Sequence, residues 1–362
     1  GVDREVSMKP FFSIVMPVYN VGKYIEKAIE SVQSQTFTEW ELIVVNDCTE
    51  DDSVVKAQRL AEVDERIRLI HHQTNKGLSA ARNTGEREAS GQYIWFMDPD
   101  DYVEEDLLQK VYESLKKNKA KLVVFGLVEE YFDENGQFSY SHEIVPREVL
   151  CDNKSELRKE IIYLEQATLY GYAWNKIYQL DYLRSLNLHY ENVKLIEDIL
   201  FNIKYCMDID SMNMLAIPAY HYQKRLDNSL TNKFVPDYYV LHKKRIQLLF
   251  EQYQYWNMCT DQVKCILGSL YGRYIFSALQ RNCDVKSSMS GKDRRQWCRE
   301  VFKSELFQEL IPHGRAKDGR ALQILLFVLR RKNVMACTAL GRIIYTIKSK
   351  NPMAYSKLRS ER

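Results

Sequence analysis

At 362 residues, with 51 basic and 49 acidic side chains, the chain can build one large or two ordinary domains, and its balanced charge names no partner. Eight cysteines without a C-x-x-C or other paired spacing argue against structural zinc and against a disulfide framework. No stretch reaches membrane-spanning length without charge, and Phe11 to Val18 is too short for a signal-peptide core, so a reducing, cytoplasmic setting is expected.

The first hundred residues alternate strand and helix. Ser13 to Val18 is an apolar strand ending in Pro17-Val18-Tyr19-Asn20, and Lys23 to Gln35 has helical spacing through Ile25, Ala28, Ile29 and Val32. Trp40 to Val45 is a second strand, ending in Asn46-Asp47, and Asp51 to Val63 is a helix with acidic residues at its start. Arg66 to His71, the helix Leu78 to Ala89 and the Tyr93 strand complete an alternation that predicts an α/β fold, a Rossmann-like, mostly parallel sheet with helices on both faces. In such a sheet Tyr19, Asp47, Asn75 and Asp98 gather along one edge, where open α/β sheets bind ligands.

The Tyr93 strand empties into Asp98-Pro99-Asp100-Asp101. Pro99 holds the turn and donates no hydrogen bond, so Asp98 and Asp100 can converge on one point. Carboxylates that close repel unless a cation lies between them, and Mg²⁺ or Mn²⁺ bridging a diphosphate suits hard oxygen ligands. The alternative is an acidic turn capping the next helix, Glu104 to Lys117.

Beyond it, Lys121 to Phe125 reads as a strand, and Val128 to Phe132 with Phe138 to Ile144 as a hairpin around Asp133-Glu134-Asn135-Gly136. A helix over Asn153 to Leu169 precedes the mixed aromatic and polar Gly171 to Tyr178, and Glu197-Asp198 opens an amphipathic helix. Met212 to Ile217 is a strand and His221 to Lys233 a polar loop. From Pro236 the alternation gives way to helices over Tyr238 to Tyr255, Gln262 to Leu279, Lys292 to Leu310 and Ala321 to Lys348. Two domains are therefore expected, 1–235 and 236–362.

Four ordered segments, Ile14-Val15-Met16-Pro17-Val18-Tyr19-Asn20, Leu42 to Asp47, Asn75 to Asn83 and Phe96 to Asp101, resemble family 2 glycosyltransferases of the GT-A fold over roughly the first two thirds of the chain. The resemblance implies that Pro17, Tyr19, Asp47, Asn75, Gly77, Arg82, Asp98 and Pro99 bind a UDP-sugar. In that reading Tyr19 packs on the uracil, Asp47 accepts the imide N–H, and Asn75 and Arg82 line the base and phosphate region. It further implies that Asp100 and Asp98 hold Mn²⁺ or Mg²⁺ with His221, that Arg225 covers the diphosphate, and that Asp198 rather than Glu197 is the base of an inverting displacement. Trp174, Asn175 and Lys176 match a segment beside the acceptor, although a core tryptophan is an equal reading. Taken singly, the others also read as a core Tyr, a turn Asp, a turn Asn and a solvated Arg. One departure stands out: the family commonly has Asp-Gly-Ser-Thr-Asp where this chain has Asp47-Cys48-Thr49-Glu50-Asp51.

The implied activity is transfer of a hexosyl or N-acetylhexosaminyl group to a glycan or lipid-linked glycan of a bacterial surface polysaccharide. A sugar-phosphate nucleotidyltransferase would need a glycine-rich basic loop after the first strand, which Tyr19 to Lys23 is not. A non-catalytic glycan-binding homologue is opposed by intact Asp98, Asp100 and Asp198. From Arg315 onward twelve basic residues face only Asp318 and Glu361, interleaved with an apolar stripe through Leu322, Leu325, Leu326 and Leu329. That pattern suits helices peripheral to an anionic membrane on its inner face, with a helix pair packed on protein or in a homo-oligomer as the alternative. No nucleic-acid-binding fold accompanies the charge.

Overall fold

The computed structural model describes residues 9–226, 234–316, 319–352 and 354–355. Residues 227–233 of the expected polar loop lie outside the described residues, as do Lys317, Asp318, Lys357, Arg359, Glu361 and Arg362 of the basic segment.

Ten strands form one mixed sheet: β1 (Phe12–Val18), β2 (Trp40–Asn46), β3 (Ile67–His71), β4 (Tyr93–Phe96), β5 (Tyr102–Val103), β6 (Leu122–Phe132), β7 (Phe138–Ile144), β8 (Val149–Cys151), β9 (Lys176–Gln179) and β10 (Met212–Lys224). The main order is β3-β2-β1-β4-β9-β6-β10-β5, with β7 on β6 and β8 on β10. The first four strands are parallel, as the alternation predicts. Every residue of β1 is buried, as a strand covered by helices on both faces requires. The helix Leu78–Glu88 supplies that cover on one face; a Cβ on Gly85 would come within 2.2 Å of Val15 Cγ1, so only glycine lets this helix lie so close to β1.

The later half departs from the sequence reading. The two apolar runs around Gly126 form one long strand, β6, and the expected polar loop at His221 continues β10 as far as Lys224. β9 and β5 pair antiparallel with their neighbours. Parallel register sets the site: Val18 lies opposite Asn46, and Val15 opposite Phe96, so the carboxyl ends of β1, β2 and β4 open on one edge.

The chain divides into two compact units, Gly1–Ser229 and Leu230–Arg362. The second is helical. Its expected Lys292 to Leu310 helix is broken at Ser304 into Gly291–Lys303 and Glu305–Leu310, and the last into Arg320–Arg330 and Val334–Lys350, with Lys332 at φ 53 and an Asn333 N-cap between them. Leu322, Leu325, Leu326 and Leu329 are buried within this unit, where Leu326 and Leu329 lie against Gly272 of the helix Asp261–Arg281. The stripe assigned above to a membrane is therefore core packing. No helix among the described residues is long and apolar enough to cross a membrane.

Candidate active site

The edge at the carboxyl ends of β1 and β2 is built from clipped loops. Asp47, buried just past β2, accepts from the Lys76 and Gly77 backbone N–H groups at 2.8 and 2.9 Å and lies 2.9 Å from His72 Nδ1. Three of a carboxylate's roughly four acceptor positions are thus spent holding the loop that carries Asn75. Gly77 opens the helix Leu78–Glu88 at φ 96, where a side chain would be strained.

The loop after β1 is tied to the one after β2. Thr49 and Glu50 donate to Asn20 Oδ1, and Asp51 accepts from the Gly22 N–H at 2.8 Å and from Ser53. Burial raises the Asp51 carboxyl less than these hydrogen bonds lower it, and it lies below the ordinary carboxylate range, at about 2. Cys48, at the family's usual glycine position, keeps a left-handed backbone at φ 58. The strain of that conformation falls on a non-glycine residue. Tyr19 and Asn75 are exposed along this edge, whereas Pro17 is buried within β1.

The acidic turn follows β4. Carboxylate oxygens of Asp98, Asp100 and Asp101 lie within 4.8 Å of one another. Asp101 is buried and committed: its Oδ2 accepts from the Tyr220 hydroxyl at 2.7 Å and its Oδ1 from the Gln223 N–H at 2.9 Å. Tyr220 also accepts from the Asp98 N–H, fixing the turn from a second side. Burial, opposed by Arg82 and reinforced by Asp100 and Asp198, pushes the Asp98 carboxyl up to about 7. Burial raises Asp100 as well, against the Arg225 guanidinium. A tight set of hard oxygen donors short of positive charge fits a divalent cation, with Asp98 and Asp100 as its partly accessible members.

Arg82 is the hinge of the electrostatics. Its guanidinium is buried, ion-paired with Asp98 at 3.5 Å and, more closely, with Asp198, and it lies over the Tyr190 ring at 4.9 Å. It thus joins the β4 turn to the start of the helix Glu197–Cys206. Asp198 Oδ2 faces the Ala173 N–H at 3.4 Å. Glu197 beside it is pushed up to about 7 by burial and by the Asp198 charge. Arg225 reaches the turn too, stacked over Tyr24 at 3.6 Å and within 3.3 Å of the Asp100 carbonyl.

Four assignments are corrected. His221 does not point at the acidic turn. Side chains alternate along β10, so Tyr220 and Tyr222 take that face and His221 the other. There its ring nitrogens lie 2.8 Å from Glu130 and 2.7 Å from Glu104, and the ring stacks on Tyr102. Trp174, Asn175 and Lys176 are buried in the core rather than presented at a surface. The Trp174 indole is stacked between Tyr172 and Tyr220. The Asn175 amide donates to the Phe125 and Leu169 carbonyls, and the Lys176 ammonium donates to three oxygens, of Leu169, Tyr172 and Asn175, at 2.6–2.7 Å. The sequence reading missed Tyr220; its alternation with Tyr222 was the signal of a strand where a loop was expected.

Residues 13–185 match the description Glycosyl transferase family 2. The chain is 30% identical over 311 residues to the uncharacterized glycosyltransferase EpsJ of Bacillus subtilis (strain 168), covering 84% of this chain and 87% of EpsJ. The chain belongs to glycosyl transferase family 2. This glycosyltransferase is also 26% identical over 229 residues to the poly(ribitol-phosphate) beta-N-acetylglucosaminyltransferase TarS of Staphylococcus aureus (strain MW2), a match spanning 62% of this chain and 37% of TarS. The solved structure of S. aureus TarS 1-349 in complex with UDP-GlcNAc superposes with a TM-score of 0.61 at 20% identity over 94% of this chain and 92% of that one, so the two share a fold.

Proposed function

We propose that this glycosyltransferase moves a hexosyl or N-acetylhexosaminyl group from a UDP-sugar to a glycan acceptor in surface-polysaccharide or lipid-linked oligosaccharide synthesis, with inversion and with a divalent cation. The observation that carries the reading is the linked Asp98–Arg82–Asp198 set, which puts a donor-side carboxylate and a candidate base on one buried guanidinium. The names of EpsJ and TarS support the reaction class, and that of TarS supports an amino-sugar donor.

In this mechanism Tyr19 and Asn75 meet the nucleotide at the open edge, and Arg225 supports the diphosphate side. A cation held by Asp98 and Asp100 would offset the charge gathering on the leaving diphosphate. Arg82 holds Asp198 Oδ1, and the second lone pair of Oδ2, which faces the Ala173 N–H, takes the acceptor hydroxyl proton. The acceptor oxygen bonds the anomeric carbon from that side as the diphosphate leaves from the other.

Thermal unfolding tests the donor and cation together. UDP-N-acetylglucosamine with Mn²⁺ should raise Tm, because a ligand bound only by the folded state stabilises it. GDP-mannose should not, and excess chelator should abolish the shift. A shift indifferent to chelator removes the cation from the mechanism, and stabilisation by GDP-mannose alone overturns the UDP assignment.

A further inference from the structure

The buried Trp174 is the middle of a stack whose outer ring is half-buried. Tyr172 stacks on Trp174 at 4.4 Å between centroids, and Trp174 stacks on Tyr220 at 4.1 Å. The stack starts on the hydroxyl that braces the acidic turn and ends on Tyr172, one residue before the Ala173 N–H that faces Asp198. Tyr222, also half-buried, lies 5.0 Å from Trp174 and 5.7 Å from Tyr172.

The aromatic surface continues outward. Tyr220, Tyr222 and Lys224 share one face of β10, since side chains alternate along a strand. Register places Lys224 beside Tyr131 of β6, and Tyr131 beside Tyr140 of β7. The Lys224 ammonium lies 5.1 Å from the Tyr222 ring and 5.8 Å from the Tyr131 ring. Tyr131 and Tyr140 stack at 4.4 Å, and Tyr140 is 51% exposed on a strand that is exposed along nearly all its length. With strands about 4.8 Å apart, the row runs roughly 10 Å from β10 to the edge of the sheet.

We propose that Tyr172, Tyr222, Lys224, Tyr131 and Tyr140 form an extended acceptor subsite that takes several sugars of an oligosaccharide, the reacting one against Tyr172. The inference rests on the glycan-acceptor reading above and specifies where the acceptor lies. A pyranose presents a face of C–H groups that suits an aromatic ring. The Tyr131 hydroxyl and the Lys224 ammonium are held on Glu129, at 2.5 and 3.8 Å, so the ring faces carry the recognition. The start of the row selects the occupant: Tyr172 directly precedes Ala173, whose N–H faces Asp198 Oδ2, so the row begins on the segment that abuts the candidate base. Its other rings rest on β10, β6 and β7.

Saturation-transfer NMR tests this with glucose, galactose and N-acetylglucosamine oligosaccharides of one to six sugars. For the wild-type protein, affinity should rise about tenfold between one and three sugars, the worth of one good aromatic contact, and then level off. Tyr140→Ala should remove most of that rise, Tyr172→Ala should weaken every length about tenfold, and Tyr172→Phe should restore it. Affinity independent of length, alanine variants that bind as the wild type does, or a wild type that binds no oligosaccharide would each overturn the subsite. Equal loss of UDP-N-acetylglucosamine binding in Tyr172→Ala would make the ring structural and overturn the subsite as well. Oligosaccharide binding without UDP-sugar binding strikes the donor reading instead and leaves the subsite standing.

Discussion

Glu197 and Asp198 are neighbours at one helix start, yet their surroundings differ. Asp198 is held by Arg82, whereas Glu197 Oε2 is buried without a hydrogen-bond partner. Burial raises the Glu197 carboxyl from 4.5 to about 7, so the fold favours its neutral form. The stabilising effect of that preference is complete below pH 4.5 and is lost as pH rises through about 7. The full displacement corresponds to on the order of 3 kcal/mol. Glu197→Gln should therefore match the wild type in Tm near pH 4.5 and exceed it increasingly up to pH 8; parallel Tm curves would refute this. Asp198→Asn should retain UDP-sugar binding and lose transfer by roughly two to four orders of magnitude. Retained transfer there, with an inactive Glu197→Gln, would move the base to Glu197.

Among the elements, the helix Leu78–Glu88 matters most, because it carries Arg82 between the two carboxylates. Its distance from the sheet is set at Gly85. Gly85→Ala would press a methyl against both Val15 methyl groups, with contacts of 2.2 and 2.9 Å, and should cost about 1–3 kcal/mol by denaturant titration. The helix would shift away from β1 and take Arg82 with it, so transfer should fall by more than the fraction unfolded explains. Unaltered specific activity in the folded fraction would separate Arg82 from its helix's packing. β10 acts comparably: Tyr220 and the Gln223 N–H hold Asp101, while His221 secures β5 from the opposite face. One strand steadies the acidic turn from two sides.

At the scale of the molecule, the two units have different chemistry. The residues proposed for the donor and the base all precede Ser229, and the last two helices cover the apolar face of their own unit. Deleting residues from Arg320 onward would uncover Gly272 and the helix Asp261–Arg281 that bears it. The truncated protein should aggregate or unfold at lower temperature, while any folded fraction still binds UDP-sugar. Flotation with anionic vesicles should not distinguish intact from truncated protein through the Leu322–Leu329 stripe, since those side chains face inward. A salt-sensitive vesicle affinity lost on truncation would contradict that.

The alternation of apolar runs and amphipathic helices determined the parallel half of the sheet, and four strand-end motifs determined the family and the acidic turn. Period and spacing suffice there because buried parallel strands and their loops are specified locally. Three-dimensional contacts decided the rest. Nothing local distinguishes a stacking tryptophan from a buried one, and Trp174 is buried because Tyr220, distant in sequence, closes on the face opposite Tyr172. His221 reads as a ligand until strand alternation turns it toward Glu104 and Glu130. The apolar stripe at Leu322 fits a membrane or a protein core equally well in sequence; the glycine surface it meets at Gly272 is what makes it core.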